Sequence, residues 1–265
     1  GTVLDGNIDV ALLRTDGKAI EEFGYYNLVP YEGKVNDLLI KALNEAQIWN
    51  FNGPEPEIFS KTEAALTNAQ AVAVQECLEL SGIDKNEIGA IGFHGQTVLH
   101  RAPNNLLKGK TRQLGDGQTM ANKLGIPVVY DFRTKDMTEG GQGAPLCPIY
   151  HAALLKKIRA TSTTAILNLG GLGNLSCYSE NYDLIAFDTG PANAPINDWI
   201  KSFNIGQMDM GGEIAARGKA DDSKIAEILK DPYFEVSFPK SLDRFDFSYK
   251  IAEGMSLEDG AATLT

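Results

Sequence analysis

Long apolar runs are missing from this chain. No stretch of its 265 residues is long and apolar enough to span a bilayer. No charged, apolar and small-residue pattern of a secretory leader opens it. Positive charge is also short: 24 Lys and Arg stand against 35 Asp and Glu, a formal net charge of -11. Such a surface repels nucleic acid and anionic lipid, and no basic stripe or aromatic-basic motif offsets it. Membrane and nucleic acid are therefore set aside as partners. Cysteine is scarce and odd in number: Cys77, Cys147 and Cys177, widely spaced. That excludes a disulfide framework and fits reduced thiols in a cytoplasmic protein. His94, His100 and His151 are too scattered to propose a metal site.

What is present is ordinary globular composition. At 43% hydrophobic residues the chain can fill one large domain or two. Asn7 to Leu13 and Ala19 to Asn27 read as paired strands across an Asp-Gly turn at Thr15 to Lys18. Lys34 to Trp49 has helical spacing, with Leu38, Leu39, Ala42, Leu43 and Ala46 on one face. A longer helix is expected from Glu57 to Leu80, burying Ala64, Ala65, Ala69, Ala71, Val72, Ala73 and Leu78. Ile88 to Phe93 and Ile126 to Tyr130 read as buried parallel strands, each ending in polar residues: His94-Gly-Gln-Thr97 as a loop, and Asp131-Phe-Arg133. Gln118 to Leu124 and His151 to Ile158 read as helices, and the Gly/Pro-rich stretch Thr138 to Pro148 as a loop. Thr163 to Leu169 pairs with Leu175 to Tyr178 across Gly170 to Gly173. Asp183 to Phe187 is a strand ending at Asp188, and Ile196 to Phe203 a helix. Beyond Gly212 the pattern is mainly helical, with breaks at Asp231-Pro232 and Phe238-Pro239. Ser256, ahead of Glu258 and Asp259, reads as a helix start. Strands followed by helices throughout predict an α/β architecture with a mixed sheet. The polar stretch Lys157 to Thr163 marks a division into 1–160 and 161–265.

Several segments have the residue types that binding chemistry needs. Gly1-Thr-Val-Leu-Asp-Gly6 can present N–H groups to phosphate and a carboxylate toward hydrated Mg²⁺; it also suits an ordinary hairpin turn. Leu167 to Asn174 (LNLGGLGN) lacks the Lys-Ser/Thr of a Walker loop and the spacing of a dinucleotide fingerprint. It is either a plain glycine turn or a second phosphate contact. Asp188 stands at a strand end, where ligands bind α/β sheets and where Asx turns and helix caps also occur. Gln96 and Thr97, beside His94, can bond hydroxyl and amide groups. Arg133 can clamp a carboxylate or pair with Asp131, Asp136 or Glu139. The dense glycine of Gly140 to Gly143 suits either a flexible surface loop or a backbone that must approach a ligand closely.

Taken in order, GTVLDG (1–6), GFHGQT (92–97), QLGDGQ (113–118), VVYDFR (128–133), GGQGAPLCP (140–148), ILNLGGLGN (166–174) and FDTGPAN (187–193) resemble the anhydro-N-acetylmuramic acid kinase family. The resemblance implies an actin-like ATPase (ribonuclease H-like) fold with two lobes, the second incomplete. It implies use of ATP and Mg²⁺ to open the 1,6-anhydro ring of anhydro-N-acetylmuramic acid and phosphorylate O6, in cell-wall recycling. A homodimer is the assembly that it suggests. Under it Asp188 is the general base. Gly1, Thr2, Val3, Leu4, Asp5, Gly6 and Asp9 form the first phosphate loop, with Asp5 and Asp9 toward the metal. Asn168, Gly170, Gly171, Gly173 and Asn174 form the second. His94, Gln96, Thr97, Arg133, Gly190 and Asn193 hold the sugar.

Four positions depart from that pattern. Val3 replaces a Ser, Asn7 is an extra residue, Ala192 replaces a Gly, and Cys147 replaces an aliphatic residue. The family's adenosine-binding motif lies past the counterpart of Thr265, and a further strand leads into Gly1. The resemblance therefore implies that these residues alone do not close an ATP site. Another sugar kinase of the same fold, or a non-catalytic binding member, are the alternatives; substrate choice and ATP consumption separate the three.

Overall fold

The computed structural model describes residues 6–103, 107–181 and 183–265. The chain divides into two compact units: Gly1–Ile149 with Lys156–Ile158, and Tyr150–Leu155 with Arg159–Thr265.

The first unit opens on strand β1 (Asn7–Thr15), antiparallel to β2 (Ile20–Pro30). Their turn forms because the Asp16 carboxylate accepts the N–H groups of Lys18 and Ala19 at 2.8 and 2.7 Å. Helix α1 (Gly33–Trp49) buries Leu39, Ala42, Leu43 and Ala46, the predicted stripe less Leu38. Helix α2 (Ile58–Ser81) buries a different face from the one expected: Phe59, Thr62, Leu66, Thr67, Ala71, Ala73 and Cys77, while Ala64 and Val72 are exposed. The cause is polar. Thr62 donates to Ile58 O at 2.7 Å, and Thr67 Oγ1 accepts from Asp116 N–H at 3.0 Å. Satisfied hydroxyls can be buried, so the stripe rotates toward two residues that polarity alone would turn outward.

Next come β3 (Ile91–Phe93), β4 (Gln96–Arg101), β5 (Lys110–Leu114), α3 (Gly117–Leu124), β6 (Val128–Tyr130) and α4 (Phe132–Thr138); of α5 (Pro148–Lys157), the stretch Tyr150–Leu155 belongs to the second unit. β3 and β6 are parallel, as expected. The loop expected at Gln96-Thr97 is the start of an antiparallel hairpin, β4 with β5. Arg133 does not end a strand: Asp131 turns left-handed at φ 53° and Arg133 enters α4. α1, α2, β4 and β5 enclose the main core of this unit, around Phe59, Leu66, Leu99 and Leu114.

The second unit is a three-stranded antiparallel sheet, β7 (Ala165–Leu169), β8 (Leu172–Tyr178) and β9 (Leu184–Pro191), in that order. The turn is two residues, Gly170-Gly171, so Gly173 lies inside β8. β9 does not stop at Asp188 but continues to Pro191, past an irregularity opposite Gly173/Asn174. α6 (Asn193–Ser202), α7 (Asp222–Ile228) and α8 (Leu257–Leu264) follow, and Ser256 caps α8 as its sequence predicts. Between them the chain is short 3₁₀ turns and extended segments, less helical than expected. Trp199, Ile200, Ala252 and Ala261 form the core here. Among the described residues, pairing falls into four separate small sheets, each of one orientation rather than mixed.

Candidate functional site

In the first unit, Arg133 meets one other predicted sugar residue, His94. Its Nη2 and Nε lie 3.0 and 3.3 Å from His94 Nε2, and its Nη1 donates to Gly143 O at 2.6 Å. Guanidinium nitrogens only donate, so His94 Nε2 accepts. His94 Nδ1 sits 3.0 Å from Gly95 O, an acceptor, so Nδ1 carries the proton. Burial, then the Arg133 charge, lowers the His94 pKa to about 4. The acids offered as Arg133 partners are engaged elsewhere. Asp131 accepts from Thr134, Asp136 from Gly143 N–H, and Glu139 pairs with Lys135. The close approach made by the glycine-dense loop is to this chain's own Asp136 and not to a ligand: a Cβ on Gly141 would lie 2.2 Å from its carboxylate.

The β4–β5 hairpin adds a buried polar row that the motifs alone did not suggest. Thr97 and Gln113 are directly opposed, as are His100 and Thr111. Gln113 Nε2 donates to Thr111 Oγ1 at 2.5 Å and reaches Thr97 Oγ1 at 3.4 Å. Thr111 Oγ1 in turn lies 3.3 Å from His100 Nδ1. Gln113 Oε1 is buried and, among the described residues, accepts nothing. An unmatched buried acceptor costs about 1–3 kcal/mol, which an incoming donor relieves. The one sequence signal for it is QLGDGQ, whose first residue is this Gln. Gln96 is buried as well, its amide donating to Thr97 O at 3.1 Å.

His100, 6% exposed, has its pKa lowered to about 4 by burial, then by Arg133 and Arg101, with a Gln142 backbone bond working the other way. Both rings are therefore neutral at pH 7. Unfolded rings protonate near 6.5 and these near 4, so between those values the unfolded chain binds more protons and stability rises with pH. The contribution is complete above about pH 6.5 and is lost as pH falls toward 4. Thermal unfolding followed from pH 7 to pH 5 checks this. The His100→Gln variant loses stability less steeply than wild type, by on the order of 1 kcal/mol per pH unit. Parallel curves would refute it.

In the second unit, Asp188 lies in β9 opposite Asn174 of β8, one strand from the glycine turn. It is 4% exposed, and Leu242 N–H donates to its Oδ2 at 2.9 Å. That bond fixes where the carboxylate points. The residues around it serve the hairpin. A Cβ on Gly173 would meet Thr189 Oγ1 at 2.7 Å, so Gly173 is a close-packing glycine. Gly190 faces Gly173 across the ladder. Asn193 donates through Nδ2 to Leu169 O at 2.9 Å, and its N–H reaches Gly170 O at 2.9 Å. Ala192 and Ala194 N–H groups meet Gly171 O at 3.2 and 3.1 Å. The start of α6 is thus bonded onto the Gly170-Gly171 turn. Asn168 is exposed beside that turn and Asn174 is half-buried. Ala192 has φ -138°, so no left-handed backbone is asked of it.

Of the first phosphate loop, Gly1, Thr2, Val3, Leu4 and Asp5 lie outside the described residues. Gly6 has φ 90° and its carbonyl accepts from Tyr31 N–H at 2.8 Å. Asp9 is exposed on β1. Among the described residues no group of three or more His, Cys, Asp or Glu could hold a metal. Mg²⁺ needs none, because it keeps its waters and is held by one or two carboxylates with substrate phosphates. A single exposed Asp9 fits that mode. None of Cys77, Cys147 and Cys177 forms a disulfide, and no described helix is long and apolar enough to cross a membrane.

Comparison with known proteins places these residues in context. Residues 1–260 match the family model described as anhydro-N-acetylmuramic acid kinase. The whole chain is 58% identical to the anhydro-N-acetylmuramic acid kinase of Brucella anthropi and 55% identical to that of Rhizobium rhizogenes, covering 71% of each. Identity to the corresponding protein of Caulobacter vibrioides is 40%, again over all of this chain and 71% of the relative.

Proposed function

The chain belongs to the anhydro-N-acetylmuramic acid kinase family, and from that premise we propose how its residues divide the work of an alcohol-acceptor phosphotransferase. Asp188 is the general base. It takes a proton from water as water attacks the anomeric carbon of 1,6-anhydro-N-acetylmuramic acid, which frees O6 to accept the γ-phosphoryl group of ATP. The two events are one coupled turnover giving N-acetylmuramic acid 6-phosphate. Arg133, held by His94 and Gly143, receives the lactyl carboxylate, with Gln96 and Thr97 beside it. Gln113 belongs to the same group, its buried Oε1 taking a donor of the sugar. Gly6 and Gly171 contact phosphate through main-chain N–H groups, while Asp9 binds the hydrated metal. Mg²⁺, when bound, neutralises charge developing on the phosphates.

The observation that carries this reading is the setting of Asp188, a buried carboxylate aimed by a backbone N–H one strand from a glycine hairpin. The lobes are the halves 1–160 and 161–265 of an actin-like ATPase fold, with a strand-and-glycine-turn hairpin opening each half.

A coupled assay tests the substrate: ATP consumption with the anhydro-muramic sugar, against glucose, N-acetylglucosamine and acetate. Turnover that prefers any of the last three refutes the assignment. Arg133→Lys tests the clamp. Lysine keeps the charge and loses the planar fork, so KM for the sugar rises about 10- to 100-fold, equivalent to one charge-assisted hydrogen bond. KM for ATP stays unchanged. A rise in the ATP KM alone would move Arg133 out of the sugar site.

A further inference from the structure

Asp188 is held from more than one side by a single stretch of chain. Its N–H donates to Lys240 O at 3.2 Å. Its carbonyl accepts from the Tyr233 hydroxyl at 2.5 Å. Its Oδ2 accepts from Leu242 N–H at 2.9 Å. These three bonds reach the residue's backbone donor, its backbone acceptor and its carboxylate, and all come from Tyr233–Leu242. The stretch is itself anchored. Phe238 stacks on Phe187, the residue before Asp188, at 5.4 Å and 11°. Lys240 Nζ lies 4.4 Å from the centre of the Tyr233 ring and donates to Tyr233 O at 2.9 Å. Phe234 and Phe247 pack edge-on to Tyr233 at 6.0 and 6.4 Å.

We propose that Tyr233 is a positioning residue for the reaction: its hydroxyl holds the main chain of Asp188, and so the line along which the carboxylate meets its proton. The proposal rests on the role of Asp188 as base. The main-chain carbonyl of Asp188 sits on the same residue as the base, so slack there becomes slack at Oδ1 and Oδ2. Proton transfer tolerates little of it, because a shift of about 1 Å can cost on the order of 100-fold in rate. Burial, then the negative charges of Asp188 and Asp246, raise the Tyr233 pKa. The phenol consequently stays protonated, and a donor, through the neutral range. None of the predicted site residues does this work, and nothing in the motif FDTGPAN points to a residue 45 positions downstream in sequence.

Steady-state kinetics on four purified proteins test it: wild type, Tyr233→Phe, Asp188→Asn and the double variant, each with the anhydro-muramic sugar and ATP. Tyr233→Phe lowers kcat about 10- to 100-fold and leaves both KM values close to wild type. Because Tyr233 acts through Asp188, the double variant is no slower than Asp188→Asn alone. A general loss of structure would slow the Asp188→Asn background as well. The proposal is overturned by an unchanged kcat in Tyr233→Phe, or by losses that multiply in the double variant. Full turnover in Asp188→Asn would overturn the base assignment itself, and the proposal with it. Should Tyr233→Phe fail to fold, Lys240→Met loosens the same stretch from its other end and is judged by the same comparison.

Discussion

Replacing Asp188 with Asn is expected to lower kcat for the anhydro sugar by about 10²- to 10⁴-fold, the range a positioned general base supplies. Asparagine keeps the shape of the side chain and an oxygen that can still accept Leu242 N–H. The fold should therefore survive, and the thermal midpoint should move little. What is lost is basicity: an amide cannot take the proton from water. The KM for ATP should stay near wild type, since Asp188 is given no part in holding the nucleotide. The measurement is a steady-state assay beside a thermal melt. A variant within about threefold of wild-type kcat would end the proposed mechanism and leave only the family assignment; that threshold lies well below what a general base ordinarily contributes. A variant that melts much earlier would mean the carboxylate matters for folding, and would assign the lost rate to structure.

The second large effect is at Gly95, between His94 and Gln96. Its φ is 66°, and a Cβ there would lie 2.2 Å from Leu114 O, a backbone atom that cannot swing aside. Gly95→Ala therefore combines left-handed strain with a main-chain clash at the mouth of the β4–β5 hairpin. Together these cost about 2–5 kcal/mol, or roughly 5–15 °C in thermal midpoint for a chain of this size. Gly95 O also meets His94 Nδ1 at 3.0 Å, so the ring that braces Arg133 should shift and the sugar KM should rise. Gly17 separates the two causes. It has φ 83°, and a Cβ added there would have nothing within 4 Å, so Gly17→Ala carries the strain without the clash. If both variants melted at the same temperature, the clash at Leu114 would be illusory.

Much of this was legible without coordinates, for reasons tied to particular residues. Local turn chemistry was readable: Asp16-Gly17 makes its hairpin turn through its own carboxylate, and Ser256 caps α8 through Asp259 N–H. Apolar periodicity placed α1 to within a residue. The same logic misjudged α2, where Thr62 and Thr67 are buried because partners far along the chain, or one turn back, satisfy them. It also missed the β4–β5 hairpin. Gln96, His100 and Gln113 are buried there together with Val98, Leu99 and Leu114, so the alternation that marks a strand was obscured by buried polar groups.

Sequence by itself determined the family, because seven short motifs in a set order carry more information than any one of them. It determined the element types wherever turn residues and apolar spacing agree, since both act over a few residues. It also offered Asp188, His94 and Arg133 as candidate site residues. Only the tertiary structure decided what holds them. Tyr233 and Leu242 on Asp188, and Gly143 on Arg133, are contacts between segments with no shared local pattern. A hydrogen bond has direction and a reach of about 3 Å, and only the folded backbone brings donors and acceptors within it.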